Sequence, residues 1–371
     1  MTKIIIPSDC IKEHNRMFCA SVCRLLARLC RKESGGITWG ATAPEQIQER
    51  NDALFDVAQN ASAQDFLKKL YEFHRKHDIL TTRWDNLEQM IKTATGSALW
   101  KPANKKHLES VRLVLGRVFD YGAFRDGSVL RLEDQPDGSV KFAWSAQGKN
   151  AVWSGWRFIK KLGVRYCPYC NAETVGVASL GDDGGPPKLI QSALDHFVSQ
   201  SDFPFLGLSL WNLIPSCSRC NSNLKGAANQ SFDSMLYPYR DNVAKKIQFA
   251  FDPLSSSGFY GRLRTPCRHL TVRNNEEKDV RTQEFLNTFK TEGVYQWFYA
   301  KELIQDFREA YQYGGFLKEG LEKKYPGIDN RILNRIVFKS SCDSRLINLE
   351  RLGKARMDMS QQVRRLLGDG L

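Results

Sequence analysis

Residues 167–170 read CPYC and residues 217–220 read CSRC, with 46 residues between the two pairs. Two cysteines separated by two residues can be a redox pair, half of a metal site, or a pair of buried thiols. The second pair decides between these readings. Four thiolates in two such pairs supply a tetrahedral set for Zn²⁺, whereas a thioredoxin-like redox motif uses one CxxC at a strand-to-helix turn. The spacing exceeds that of a simple zinc ribbon, so a segment is inserted between the knuckles. Cys167, Cys170, Cys217 and Cys220 are therefore the expected zinc ligands.

The inserted segment reads as two strands and a loop. AETVGVASL (172–180) is a possible first strand, GDDGGPP (181–187) a turn, and KLIQSALDHFV (188–198) a second strand. A loop, SQSDFPFLGLSL (199–210), then leads to WNLIPSCSRCNSNLKG (211–226), where the second pair is expected at the start of a helix. Asp195 and His196 lie towards the end of the second strand. Adjacent strand residues point to opposite faces, so a bend or bulge is needed if both are to serve one site. Asn212 precedes the second pair, Asn221 follows Cys220 directly, and Lys225 falls one turn further along the same helical face. These residue types meet the needs of phosphodiester hydrolysis. Histidine is the natural base near neutral pH. A carboxylate and an amide oxygen suit a hard divalent cation at the scissile phosphate. Asn223 reads as solvent-facing.

Taken together, LGVRYCPYCN, LDHF and FPFLGLSLWNLIPSCSRCNSNLKG resemble the ββα-metal core of HNH endonucleases, in the subgroup whose third motif residue is asparagine. The resemblance is closest to the HNH nucleases of bacterial antiphage defence, the Septu type and its retron-associated relatives, and it covers roughly residues 160–230. It implies an α+β, mostly helical fold with a central zinc-stabilised ββα-metal core flanked by helical lobes. It implies His196 as general base, Asp195 and Asn221 as ligands of catalytic Mg²⁺ or Mn²⁺, and Asn212 as the residue that braces the loop and orients His196. Where many relatives carry Pro-Lys after the DHF triplet, this chain has Ser199-Gln200, which leaves Lys225 as the candidate phosphate contact. The resemblance also implies nucleic acid as substrate, DNA ahead of RNA such as tRNA, and a separate ATPase or sensor subunit as partner. No GxxxxGK[ST] loop occurs in the chain itself. The rival readings are a non-catalytic zinc-knuckle scaffold that binds nucleic acid, and a cysteine redox sensor.

The rest of the chain frames this core. The sequence has 371 residues and a formal net charge of +13, an excess that favours an anionic partner. It shows no apolar run long enough to span a membrane and no signal-peptide pattern, so a cytosolic protein with reduced cysteines is expected. Three segments are expected: 1–150, helical with a hairpin; 151–230, the zinc-knuckle core; and 231–371, β then helical. Cys10 to Lys32 is apolar on one face, and Ser62-Ala-Gln-Asp reads as a capped start for FLKKLYEFHRKH (66–77). Residues 104–120 read as helix, and SVLRLEDQPDGSVKFAW (128–144) as a hairpin about Pro-Asp-Gly. A short β-rich stretch is expected near 245–273, and a helix over 351–367. Cys10, His14, Cys19, Cys23 and Cys30 could form a second metal site, but without a CxxC they read as core. Trp153 and Trp156 beside Arg157, Lys160 and Lys161 likewise read as core ahead of a base-stacking surface.

Overall fold

A computed structural model describes residues 1–30, 36–40, 44–147, 153–180, 188–226, 230–251, 270–276 and 278–367. The fold is α+β and mostly helical, with four small sheets among the described residues. In chain order the elements are α1 (Ser8–His14), α2 (Ala20–Leu29), β1 (Ile37–Trp39), α3 (Pro44–Gln59), α4 (Ala61–His77), α5 (Trp84–Thr95), α6 (Lys105–Val118), α7 (Tyr121–Arg125), β2 (Ser128–Asp134), β3 (Val140–Ala146) and α8 (Gly155–Leu162). They continue with β4 (Val177–Leu180), β5 (Lys188–Gln191), β6 (Ala193–His196), β7 (Leu213–Ser216), α9 (Val243–Lys246), β8 (Ile247–Phe251), β9 (Leu270–Asn274), α10 (Val280–Phe289), α11 (Thr291–Phe298), α12 (Ala300–Lys324), α13 (Asn330–Phe338) and α14 (Gly353–Leu367). No described helix is long and apolar enough to cross a membrane.

The expected N-terminal helix forms, but a π-helical stretch, Asn15–Cys19, joins α1 to α2. The cap of α4 lies two residues before the expected Ser62: Asn60 accepts from the Ala63 amide at 2.9 Å. Asn in an extended conformation fits the cap position and competes successfully with Ser62. The hairpin forms as read, pairing Ser128 with Ala146 through to Asp134 with Val140. Gly138 takes φ +79° in its turn, a left-handed conformation that glycine adopts without a steric penalty. A third strand, β1, adds in parallel to β3; three residues are too few to show a period in the sequence.

The expected second strand of the insertion is two strands. Ser192 breaks it: its amide bonds the Gly176 carbonyl at 2.9 Å, and its hydroxyl accepts from the Gly176 amide at 2.9 Å. β5 therefore pairs back onto β4, while β6 pairs antiparallel with β7, Asp195 opposite Ile214 and His196 opposite Leu213. The expected turn 181–187 lies outside the described residues. The segment after Cys217 is a π-helix, Arg219–Lys225, where an α-helix was expected. The Gly226 amide reaches back five residues to the Asn221 carbonyl, at 2.9 Å.

The buried apolar residues of the three expected segments form one continuous cluster, from Met1 through the knuckles to Val363. The N-terminal ammonium is buried against the Asn348 side chain, and Ile4 bonds the Pro238 carbonyl. The β-rich stretch appears as the β8–β9 pair, and the expected 351–367 helix as α14.

Candidate active site

The four cysteines of the paired motifs converge. Cys167, Cys170, Cys217 and Cys220 are all buried, with their sulfur atoms within 4.8 Å of one another. The first knuckle is shaped by the Tyr166–Thr174 bridge, by the Cys167 amide on the Glu173 carbonyl at 2.8 Å, and by the Asn171 amide on the Cys167 carbonyl at 2.7 Å. The second is shaped by the Asn221 amide on the Cys217 carbonyl at 2.9 Å and the Cys220 amide on Cys217 Sγ at 3.4 Å. Four thiols in a buried cage are a poor arrangement without an ion. Sharing hydrogens with Cys167, Cys170 and Cys220 pulls the Cys217 thiol far below its ordinary range. The set fits a structural metal such as zinc, which takes tetrahedral thiolates and is closed to solvent in such sites. The nine described cysteines are all free, and Cys267 lies outside the described residues.

Beside this cluster a cleft of about 410 Å³ opens at the end of β6. Asp195, His196, Asn221 and Lys225 all line it, with Ser199, Gln200, Tyr121 and Arg125. The β6–β7 ladder runs through His196 without a bulge. Its two adjacent side chains part, and the cleft wraps the strand end where the chain leaves the ladder.

Asp195, 2 % exposed, is fully engaged. Its Oδ2 accepts from the Tyr169 hydroxyl at 2.6 Å, and its Oδ1 accepts from Lys225 Nζ at 3.0 Å. Lys225 also donates to the His196 carbonyl at 2.7 Å. Lys225 lines the cleft, but its ammonium turns inward, because a buried carboxylate demands a cation more strongly than open solvent does.

His196 is half-buried. Its Nε2 lies 3.1 Å from the Gly207 carbonyl, and the Tyr121 ring meets its edge at 4.5 Å between centroids. A carbonyl only accepts, so Nε2 carries the proton and Nδ1 keeps the lone pair. Burial lowers the imidazole from 6.5 to about 4, against the opposing pull of the Gly207 carbonyl and Asp195, so the ring is neutral at pH 7.

Asn212 does not line the cleft. Fully buried, it accepts from the Val198 amide at 2.8 Å and donates to the Val198 carbonyl at 3.0 Å and the Leu206 carbonyl at 3.3 Å. It thus ties the chain two residues after His196 to the residue before Gly207. The bracing is as expected, but its hold on His196 is indirect. Asn221 is half-buried in the cleft wall and Asn223 is exposed.

Three residues at the site escape a sequence reading. Tyr169, inside the CPYC motif, is fully buried and reaches Asp195. Tyr121 and Arg125 come from α7 and gain their place only through tertiary packing. Conversely, Trp153 is core, donating from Nε1 to His14 Nδ1 at 2.8 Å, while His14 Nε2 bonds the Leu208 carbonyl at 2.8 Å. Trp156 is also buried, with Lys160 Nζ 5.0 Å from its ring centroid.

No family model, curated protein or solved structure matches the chain.

Proposed function

We propose that the chain is an HNH-type endonuclease that hydrolyses phosphodiester bonds, DNA ahead of RNA, as the effector of an antiphage defence system with a separate ATPase or sensor subunit. The observation that carries this reading is the cleft: it gathers Asp195, His196, Asn221 and Lys225 from two separate segments, beside four buried cysteines. The antiparallel β6–β7 pair and the cysteine-anchored π-turn that follows support a ββα-metal core. The net charge of +13 supports an anionic substrate.

In this reading His196 takes the proton of the attacking water at Nδ1, while the Gly207 carbonyl fixes the ring through Nε2. Asn212 holds both strands of the loop that carries those groups. Asp195 and Asn221 are the oxygen donors that would hold a Mg²⁺ or Mn²⁺, which would supply charge stabilisation at the scissile phosphate. These donors are right in kind, but Lys225 Nζ sits on Asp195 Oδ1 at 3.0 Å. An ion there would compete with the ammonium for one place. This saturation of Asp195 also favours a second reading, a zinc-knuckle module that binds nucleic acid without cutting it.

The deciding experiment incubates plasmid DNA and total RNA with the protein, with and without Mn²⁺, wild type beside His196→Ala. Cleavage that needs His196 supports the nuclease. Binding without cleavage in both proteins supports the scaffold. Equal cutting by both rules out His196 as base. Co-expression with neighbouring genes and affinity purification tests the partner.

A further inference from the structure

Cys19, His74 and Asp78 stand apart from the cleft and from the four-cysteine cluster. Each offers a ligand atom, and these atoms lie within 4.8 Å of one another. Cys19 closes the π-helical stretch Asn15–Cys19, a winding often found where a helix adapts to a local site. His74 is on the last turn of α4, and Asp78 is its C-cap, held in the left-handed region at φ +49°. Cys19 Sγ is 4.0 Å from His74 Nε2, and Asp78 Oδ1 is 3.6 Å from His74 Nδ1.

Two chemistries use a thiol, an imidazole and a carboxylate. A nucleophile relay places the ring between the other two groups, which keeps thiol and carboxylate on opposite sides of it. Here the thiol faces Nε2 and the carboxylate Nδ1, which also accepts from the Ile79 amide at 3.3 Å, yet one sulfur, one nitrogen and one oxygen all lie within 4.8 Å of one another, close enough to converge on one ion. Convergence is the geometry of a metal site. The carboxylate is oriented from behind, as ligands commonly are: Asp78 Oδ2 accepts from Thr81 Oγ1 at 2.6 Å, and that hydroxyl also lies 3.0 Å from Asn15 Oδ1. His74 is buried while Cys19 and Asp78 are half-buried, so the site has a solvent side open to a water ligand.

We infer that Cys19, His74 and Asp78 bind a second divalent ion of the borderline class, Zn²⁺ or its surrogate Co²⁺. One sulfur, one nitrogen and one oxygen donor suit that class and do not suit Mg²⁺. Binding replaces the thiol hydrogen by the metal–sulfur bond and releases that proton to solvent. The ion would fasten the end of the π-turn to the end of α4. The residues just after Asp78 carry the loop of the cleft, since the Leu80 carbonyl accepts from the Leu210 amide at 2.9 Å and the Thr81 carbonyl from Trp211 Nε1 at 3.0 Å. The site is therefore a clamp beneath the segment that ends at Asn212.

Equilibrium dialysis of the full chain against buffered free Zn²⁺, followed by elemental analysis, tests this. Cys19→Ser and Asp78→Asn should each hold one zinc fewer per chain than wild type, with unchanged circular dichroism. The same zinc content in either folded variant overturns the inference. Should both variants fail to fold, Co²⁺ titration of wild type decides: an equivalent beyond the four-cysteine site must bring further sulfur-to-cobalt absorption, and its absence overturns the inference. The readout is metal binding alone, so it stands or falls independently of nuclease activity.

Discussion

The Lys225–Asp195 pair makes a quantitative prediction. Both side chains are at most 3 % exposed, so neither charge is screened by water. Lys225→Met keeps the stem and removes the ammonium, leaving Asp195 with one hydrogen-bond donor, Tyr169. Breaking a buried pair from one side costs about 3–5 kcal/mol. In zinc-buffered solution without Mn²⁺ the variant should lose stability by that amount in urea unfolding, a large part of the ~5–15 kcal/mol typical of a folded protein. The vacated place beside Asp195 and Asn221 then suits a divalent cation. Mn²⁺ should raise the variant's melting temperature much more than that of wild type, because an ion at a hundred times its dissociation constant contributes about 2.7 kcal/mol. The assay is a thermal melt of both proteins across a Mn²⁺ series in zinc-buffered solution. The reasoning fails if the variant is as stable as wild type without Mn²⁺, or if Mn²⁺ shifts both proteins equally.

Cys217→Ser should lose the zinc of the four-cysteine cluster and most soluble expression, as elemental analysis and expression yield would show, because a structural metal contributes directly to folding. Acid should destabilise the fold below pH 6.5. Burial lowers His14 from 6.5 to about 3 and His196 to about 4, so the unfolded chain protonates first. The stability is complete above pH 6.5 and falls towards pH 4 by about 1.4 kcal/mol per pH unit for each histidine; urea midpoints that stay flat from pH 7 to 4.5 would contradict this. Asn171→Ala should cost more than Asn171→Gly in urea unfolding. Both lose the bonds to Ile347, Glu350 and Lys354, but only alanine is strained at φ +55°, by about 1–2 kcal/mol.

The parts legible in the sequence were those written in local spacing. The CxxC pairs named their own ligands, and the Pro-Asp-Gly turn fixed the β2–β3 hairpin. Asp195, His196, Asn221 and Lys225 were collected by motif order, and the cleft gathers all four. What could not be read depends on contacts distant in sequence. The run 188–198 is continuous in β-forming residues, and only the meeting of Ser192 with Gly176 shows that it splits. The direction of Lys225 is set by a buried carboxylate thirty residues earlier. Cys19 packs against the core as read, but its approach to His74, on another helix 55 residues away, leaves no local signal. The one-turn relation of Asn221 to Lys225 survived the change from α to π winding, since both still face the cleft.

The two halves of the cleft are held in different ways. Tyr169 leaves the first knuckle between Cys167 and Cys170 and bonds Asp195; Asp195 pairs with Lys225; and the π-turn returns Lys225 to Cys220 in the second knuckle. The path closes through the cysteine cluster, so the position of Asp195 depends on the distance between the knuckles. His196 is held partly otherwise: its ring by Tyr121, the Gly207 carbonyl and the Asn212 brace, and its own carbonyl by Lys225 of the π-turn. Opening the cluster would therefore loosen Asp195 through both Tyr169 and Lys225, and His196 only through its backbone carbonyl. A metal in the four-cysteine cluster would therefore act as a gauge that sets the carboxylate against a histidine ring held by Tyr121 and the Gly207 carbonyl.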